Sequence, residues 1–270
     1  MAEASSFHVR NAQPDDLLAA LTVLQAYPGL SSVADIAVRA ETMGLSIRDR
    51  LRLEALMTAR ELGLVHGDSN ELTLDGEKAL ELEGQKPELF GDIVHGLQYM
   101  LWVPFQQWEH CFSWTYQAVC RSLWRQVRVE VDPRILASEL EVEARTQFAR
   151  NDIALSGKSV RGVLMWLREL RPRVISEDDN YLSRHFCPPE LFLLALDYVY
   201  RSEVADYGTN LLLNEERRDA ICQMCLLDTE AFDRVLQYAV GQFPILQRGI
   251  GGGWGHYMSL ERRVTLGVLG

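Results

Sequence analysis

Between Lys158 and Arg173 the sequence sets five cations, Lys158, Arg161, Arg168, Arg171 and Arg173, against a single acid, Glu169. A guanidinium presents a planar fork that meets phosphate oxygens or a guanine edge two bonds at a time. A shorter cluster, Arg48, Arg50 and Arg52, repeats the theme nearer the N-terminus. These eight residues are the candidate nucleic-acid contacts, and the chemistry they suit is binding.

Motifs that would carry turnover or a cofactor fail on spacing. Ser156-Gly157-Lys158-Ser159 resembles the end of a phosphate-binding loop, but that loop needs a glycine five residues before Gly157, where Asp152 stands. A helix cap at Ser159 suffices to explain it. In the run Gly249 to Gly255 a dinucleotide fingerprint would need a third glycine at Trp254, so the run reads as a hairpin tip. A restriction-type nuclease core needs an acid two residues before a lysine; Lys78, Lys86 and Lys158 follow Gly76, Gly84 and Ser156. Cys222-x-x-Cys225 with His185-x-Cys187 has metal-ligand residue types, but the cysteine pair falls inside a predicted helix without the turn a zinc knuckle uses. Reduced core thiols are expected, with zinc as the alternative. No G-x-S-x-G or H-E-x-x-H occurs. The expectation is a non-enzyme with no catalytic residue, no metal and no cofactor.

The elements that must position these residues are mostly helices. Pro14-Asp15-Asp16 opens one, with Leu17, Leu18, Leu21 and Leu24 along one face. Ser31 or Ser32 caps a second, stopped by Gly44, and a third runs from Ile47 to about Leu62, with Gly63 as its stop. Leu64-Val65 and Leu72-Thr73-Leu74 flank the turn-forming Gly67 to Asn70, a hairpin pattern, and a short helix follows from Gly76 to Leu82. Residues 87–126, with Trp102, Trp108, Trp114 and Trp124, read as a core helix pair. A further helix over Arg134 to Arg150 precedes one with Val160, Val163, Leu164 and Leu167 inward and Arg161, Met165 and Arg168 opposite. Arg171 to Ile175, an acidic turn, and Tyr181 onward form a second hairpin candidate. Pro188-Pro189 starts a strong helix through Tyr200, and the Gly249 to Gly255 run supplies a third hairpin.

Helix, helix, tight turn, helix and hairpin over residues 15–86, with ARELGLVHGDSNELTLDGEKAL carrying the third helix and wing, resembles the winged helix-turn-helix superfamily. The fold expected is mainly α with small β-hairpin wings, in two or three winged-helix-like units in tandem. The divisions are a flexible terminus (1–14), a winged helix (15–86), a helical domain (87–200) holding a second unit at about 134–186, and a helical segment with a Gly-rich hairpin (201–270). In the resemblance, Arg48, Arg50 and Arg52 stand where a recognition helix meets base edges.

Bulk composition sets limits on this. The net charge of −11 argues against a protein that coats nucleic acid non-specifically, and residues 1–86 alone carry eight cations against fourteen acids. No apolar stretch is long enough to span a membrane, five irregularly spaced cysteines fit a reducing compartment, and 24 Arg against 3 Lys suggests a GC-rich prokaryote. A cytoplasmic, non-catalytic, regulatory or architectural DNA-binding protein is the first expectation, with double-stranded DNA and a protein partner or second copy as partners. The alternative is an adaptor subunit of a multi-protein complex, such as a genome-defence system, whose winged helices dock a partner.

Overall fold

Local sequence signals fix most of the helix ends. A computed structural model describes residues 7–30, 32–45, 47, 52–105, 108–126, 128–178, 180–251 and 255–270. Helix α1, Pro14–Ala26, starts with proline in its first turn and a reciprocal Gln13–Asp16 capping box. Ser32 caps α2, Val33–Thr42, by accepting from Asp35 N. Gly44 and Gly63 both take the left-handed conformation (φ +73° and +72°) that ends helices at low cost for glycine. Helix α3, Arg52–Glu61, is followed by one antiparallel bridge, Val65 with Leu72. Around that bridge His66 N donates to Glu71 O and Thr73 N to Leu64 O. Asn70 holds the turn down, donating to Leu30 O at 2.7 Å and accepting from Arg60 at 2.6 Å.

Helix α4, Leu74–Gln85, is capped by Thr73. Its Gly76 sits against the Leu64 carbonyl so closely that a Cβ would lie 2.1 Å from that oxygen. Helices α5, Phe90–Met100, and α6, Cys111–Trp124, then enter the core. Trp102 and Trp114 are buried there, as the aromatic pattern implies, but Trp108 is 40% exposed under the Arg150 guanidinium.

Strand β1, Arg128–Glu130, comes next, then α7, Pro133–Gln147, α8, Gly157–Leu167, and strand β2, Asn180–Leu182. β1 and β2 pair antiparallel with Val129 opposite Tyr181, and Ile175 bridges Tyr181 from the other side. The Val160, Val163, Leu164 and Leu167 face of α8 is buried. Its cap is Ser156, which accepts from Ser159 N, so the expected cap at Ser159 is three residues out of place.

The last part repeats this order. Helix α9, Pro189–Ser202, is buried from Glu190 to Tyr200 and packs on α5. Strand β3, Asn210–Leu212, helices α10, Glu215–Cys225, and α11, Phe232–Gln242, and strands β4, Leu246–Gly251, and β5, Gly255–Leu260, follow, with α12, Leu266–Leu269, at the end. The sheet order is β3-β5-β4, all antiparallel. Helix, strand, helix, helix, strand, strand is thus traced from α9 to β5, and from α6 to β2 with Ile175 as the short middle strand. The chain is mainly helical with small antiparallel sheets. The boundary expected at 200/201 falls inside α9, which packs on both α10 and α11. Residues 7–13, expected to be loose, are packed, with Val9 and Ala12 buried.

The core holds an imidazole that must stay neutral. His95 Nδ1 lies 2.7 Å from Tyr116 Oη and Nε2 2.8 Å from Met224 O. Burial drives its pKa from 6.5 down to about 3. Below pH 6.5 the unfolded chain binds a proton that the folded chain refuses. Stability present above that pH is therefore lost toward pH 3, at up to about 1.4 kcal/mol per unit. Thermal melts from neutral pH to about pH 4.5 should fall more steeply for wild type than for His95→Gln; parallel slopes would contradict this.

Candidate functional site

The basic segment divides at the two ends of α8. Lys158 and Arg161 are exposed in its first half, and neither has a carboxylate at ion-pair distance among the described residues. Arg168 is the half-buried C-cap. Arg171 and Arg173 lie beyond it, exposed, but Arg171 reaches Glu169 at 3.7 Å and Arg173 reaches Glu177 at 3.9 Å. From Arg161 to the C-cap Arg168 the helix rises about 10 Å, which separates the two groups. Of the other cluster, Arg48, Arg50 and the Arg52 side chain lie outside the described residues.

Residues 7–11 cover part of α8. His8 Nδ1 is 3.0 Å from Ser159 Oγ, and the Val9 and Arg10 carbonyl oxygens approach Gly162 so that a Cβ there would be 3.2 Å from each. The segment is fastened at both flanks. Arg10 Nε donates to both Glu61 carboxylate oxygens at 3.0 Å, and Asn11 N donates to Glu54 at 2.8 Å, both glutamates being on α3. Thr115 Oγ1 donates to Phe7 O, and the Phe7 ring packs edge-on against Trp114 and Phe148. The Ser159–Gly162 side of α8 is therefore filled by the chain's own backbone.

The counterpart helix in the last repeat is open. α11 buries Val235, Leu236 and Ala239 and turns Arg234, Gln237, Tyr238 and Gly241 outward. That face forms one wall of a cleft of about 1470 Å³, and the segment from Leu182 to Pro189, with Pro172 and Arg173, forms the other. Leu182, Phe186 and Tyr238 are 43%, 38% and 57% exposed, and the two rings meet edge-on at 6.3 Å. Arg234 Nη2 donates to His185 O at 2.6 Å.

Beneath the cleft lies a buried ion pair that neither basic cluster foreshadows. Arg184 Nη1 bonds Asp92 Oδ1 at 2.7 Å, and both side chains are essentially inaccessible. Asp92 Oδ2 accepts from Arg171 N; Arg184 Nε donates to Cys225 O and Nη1 also to Arg171 O. Burial pushes the Asp92 carboxyl up, and Arg184 opposes it. For Arg184 burial acts downward but Asp92, with the neighbouring thiols, outweighs it, so the guanidinium stays charged. The signal for the cleft itself was present in the alternation along α11; for Arg184 there was none, its partner being 92 residues away.

All five cysteines are buried and none forms a disulfide. Burial pushes the Cys222 and Cys225 thiols up, with Cys187 adding to both. Buried protonated thiols are inert, so a thiol-reactive disulfide reagent should label none in the native protein and all five after unfolding. Rapid labelling of the native protein would contradict the packing.

Arg184→Met should cost about 3–5 kcal/mol in urea melts at neutral pH by stranding the Asp92 carboxylate. A carboxyl with a raised folded-state pKa stabilises the fold only below that pKa. The deficit should shrink as the pH falls and Asp92 takes a proton, and a deficit independent of pH would refute this account. No known protein family, no curated protein and no solved structure matches the chain.

Proposed function

We propose that the protein is a non-catalytic adaptor subunit of a multi-protein assembly, built from three winged-helix units that dock a partner. The repeated helix, strand, helix, helix, strand, strand order and the β3-β5-β4 sheet support the winged-helix reading for the second and third units. Over the first, α1, α2, α3 and the Val65–Leu72 bridge follow that order without its first strand among the described residues, with a minimal wing.

One observation favours docking over base reading. The helix that carries the basic segment is covered along Ser159 and Gly162 by residues 8–11, whereas α11, its counterpart, is open on a large cleft. A recognition helix reads bases with its open face, and the open face of α8 holds only Lys158 and Arg161 as exposed cations without a carboxylate partner among the described residues. The net charge of −11 and the pairing of Arg171 and Arg173 with local acids weaken attraction for a polyanion further.

Exposed Lys158 and Arg161 favour a second reading, weak contact with duplex phosphates. Two such contacts would give a slope of log affinity on log salt of about −1.8. The two readings separate in paired experiments. Fluorescence anisotropy on duplex DNA at low salt should give no binding tighter than about 10⁻⁴ M. Affinity purification from the native host should retain a partner protein in near-equal amount with and without nuclease. DNA binding of the stated slope that Lys158→Ala with Arg161→Ala abolishes, or a partner lost on nuclease treatment, would defeat the adaptor reading.

A further inference from the structure

We infer that the cleft between α11 and the Leu182–Pro189 segment is the docking site for an acidic segment of a partner protein that carries an aliphatic or aromatic side chain. The inference rests on the adaptor reading and deepens it. Charge is the first argument. In a chain at −11, no Asp or Glu is among the residues lining the cleft, and each wall contributes a guanidinium, Arg173 on one side and Arg234 on the other. Arg234 has no carboxylate at ion-pair distance among the described residues, and Arg173 has only the distant Glu177. Glu190, which sits close by, is already neutralised by Lys86 at 2.6 Å. A carboxylate entering here meets Arg234, with no carboxylate partner among the described residues, and Arg173, held only by the exposed Glu177 at 3.9 Å.

Shape and polarity supply the second. The cleft volume of about 1470 Å³ exceeds the 300–1,000 Å³ usual for small-molecule sites. Leu182, Phe186 and Tyr238 leave apolar surface uncovered, and aromatic anchors flanked by arginines are the composition of protein-binding hot spots. The exposed Gln237 amide offers a donor and an acceptor to a peptide backbone. At Gly241 a side chain would meet nothing within 4 Å, so α11 leaves space in the cleft at a position where packing does not require glycine.

Single-stranded nucleic acid, the other occupant that aromatic and basic residues suit, fits less well. It needs a cationic track along its backbone, and the cleft offers Arg173, Arg234, an Arg184 locked on Asp92, and a histidine whose Nδ1 is 3.6 Å from Asp228.

Placing the photo-reactive analogue p-benzoylphenylalanine at Tyr238 in the full chain tests this in the native host. Irradiation followed by mass spectrometry should join residue 238 to an acidic, apolar-containing segment of a partner protein. Arg234→Glu and Gly241→Met, each introduced into that chain, should lower the yield at least tenfold. The Gly241→Met protein should melt no lower than its parent, since methionine is the better helix former. A crosslink to nucleic acid, to a segment lacking acids, or a yield unchanged in both variants would overturn the inference. The same analogue at exposed Val142 on α7 separates the two failures. A partner that co-purifies but does not crosslink at 238 leaves the adaptor standing and removes the cleft, and crosslinking at 142 alone would put the contact on α7. The absence of any co-purifying protein would remove both.

Discussion

The Asp92–Arg184 pair is the constraint on which the packing of the two traced repeats, α6 to β2 and α9 to β5, depends. Its carboxylate comes from α5, and its guanidinium from the segment between β2 and α9. The groups completing it are the backbone of Arg171 and the Cys225 carbonyl at the end of α10. Arg184 also takes part through its main chain, its N–H donating to Leu226 O and its carbonyl accepting from Asp228 N. Four segments distant in sequence therefore meet at one fixed point. Burying two charges brings little net stability by itself. The value lies in specificity, since every alternative packing leaves a charge unpaired in the core.

The cleft inherits its rigidity from that point. Arg184 is both its floor and the charged half of the pair, so the wall from Leu182 to Pro189 cannot drift without disturbing the core. The opposite wall is held by the apolar side of α11, with Phe232 against Phe192 of α9. A surface fixed on both sides loses little conformational freedom when something binds to it, which is the condition for tight association.

Much of the fold was legible because the signals were local. Ser32 and Asn214 cap helices by side-chain bonds within three residues, Gly44 and Gly63 take the conformation their type permits, and the apolar stripe of α8 is buried as its spacing requires. What escaped was what distant residues decide. β1 is three residues long, too short to show a period, and exists because Tyr181 lies opposite Val129. Phe7 to Asn11 has no pattern of its own, and its order comes from α3, α6 and α8. The basic segment was legible as composition only: which cations are spent on Glu169 and Glu177, and which face of α8 is covered, depend on the tertiary structure.

The segment over α8 acts as a ligand that never leaves. Covalently attached, an occupant of this kind holds its surface at an effective concentration of roughly millimolar. Any external molecule seeking the Ser159–Gly162 face must displace the His8 contact and compete with the fastening at Glu61 and Glu54. Its apparent affinity is reduced by the fraction of time that face is bare. Of two similar helices in one chain, α8 thereby has its Ser159–Gly162 side taken out of competition while α11 remains available along its cleft, a choice made by a few residues outside either repeat.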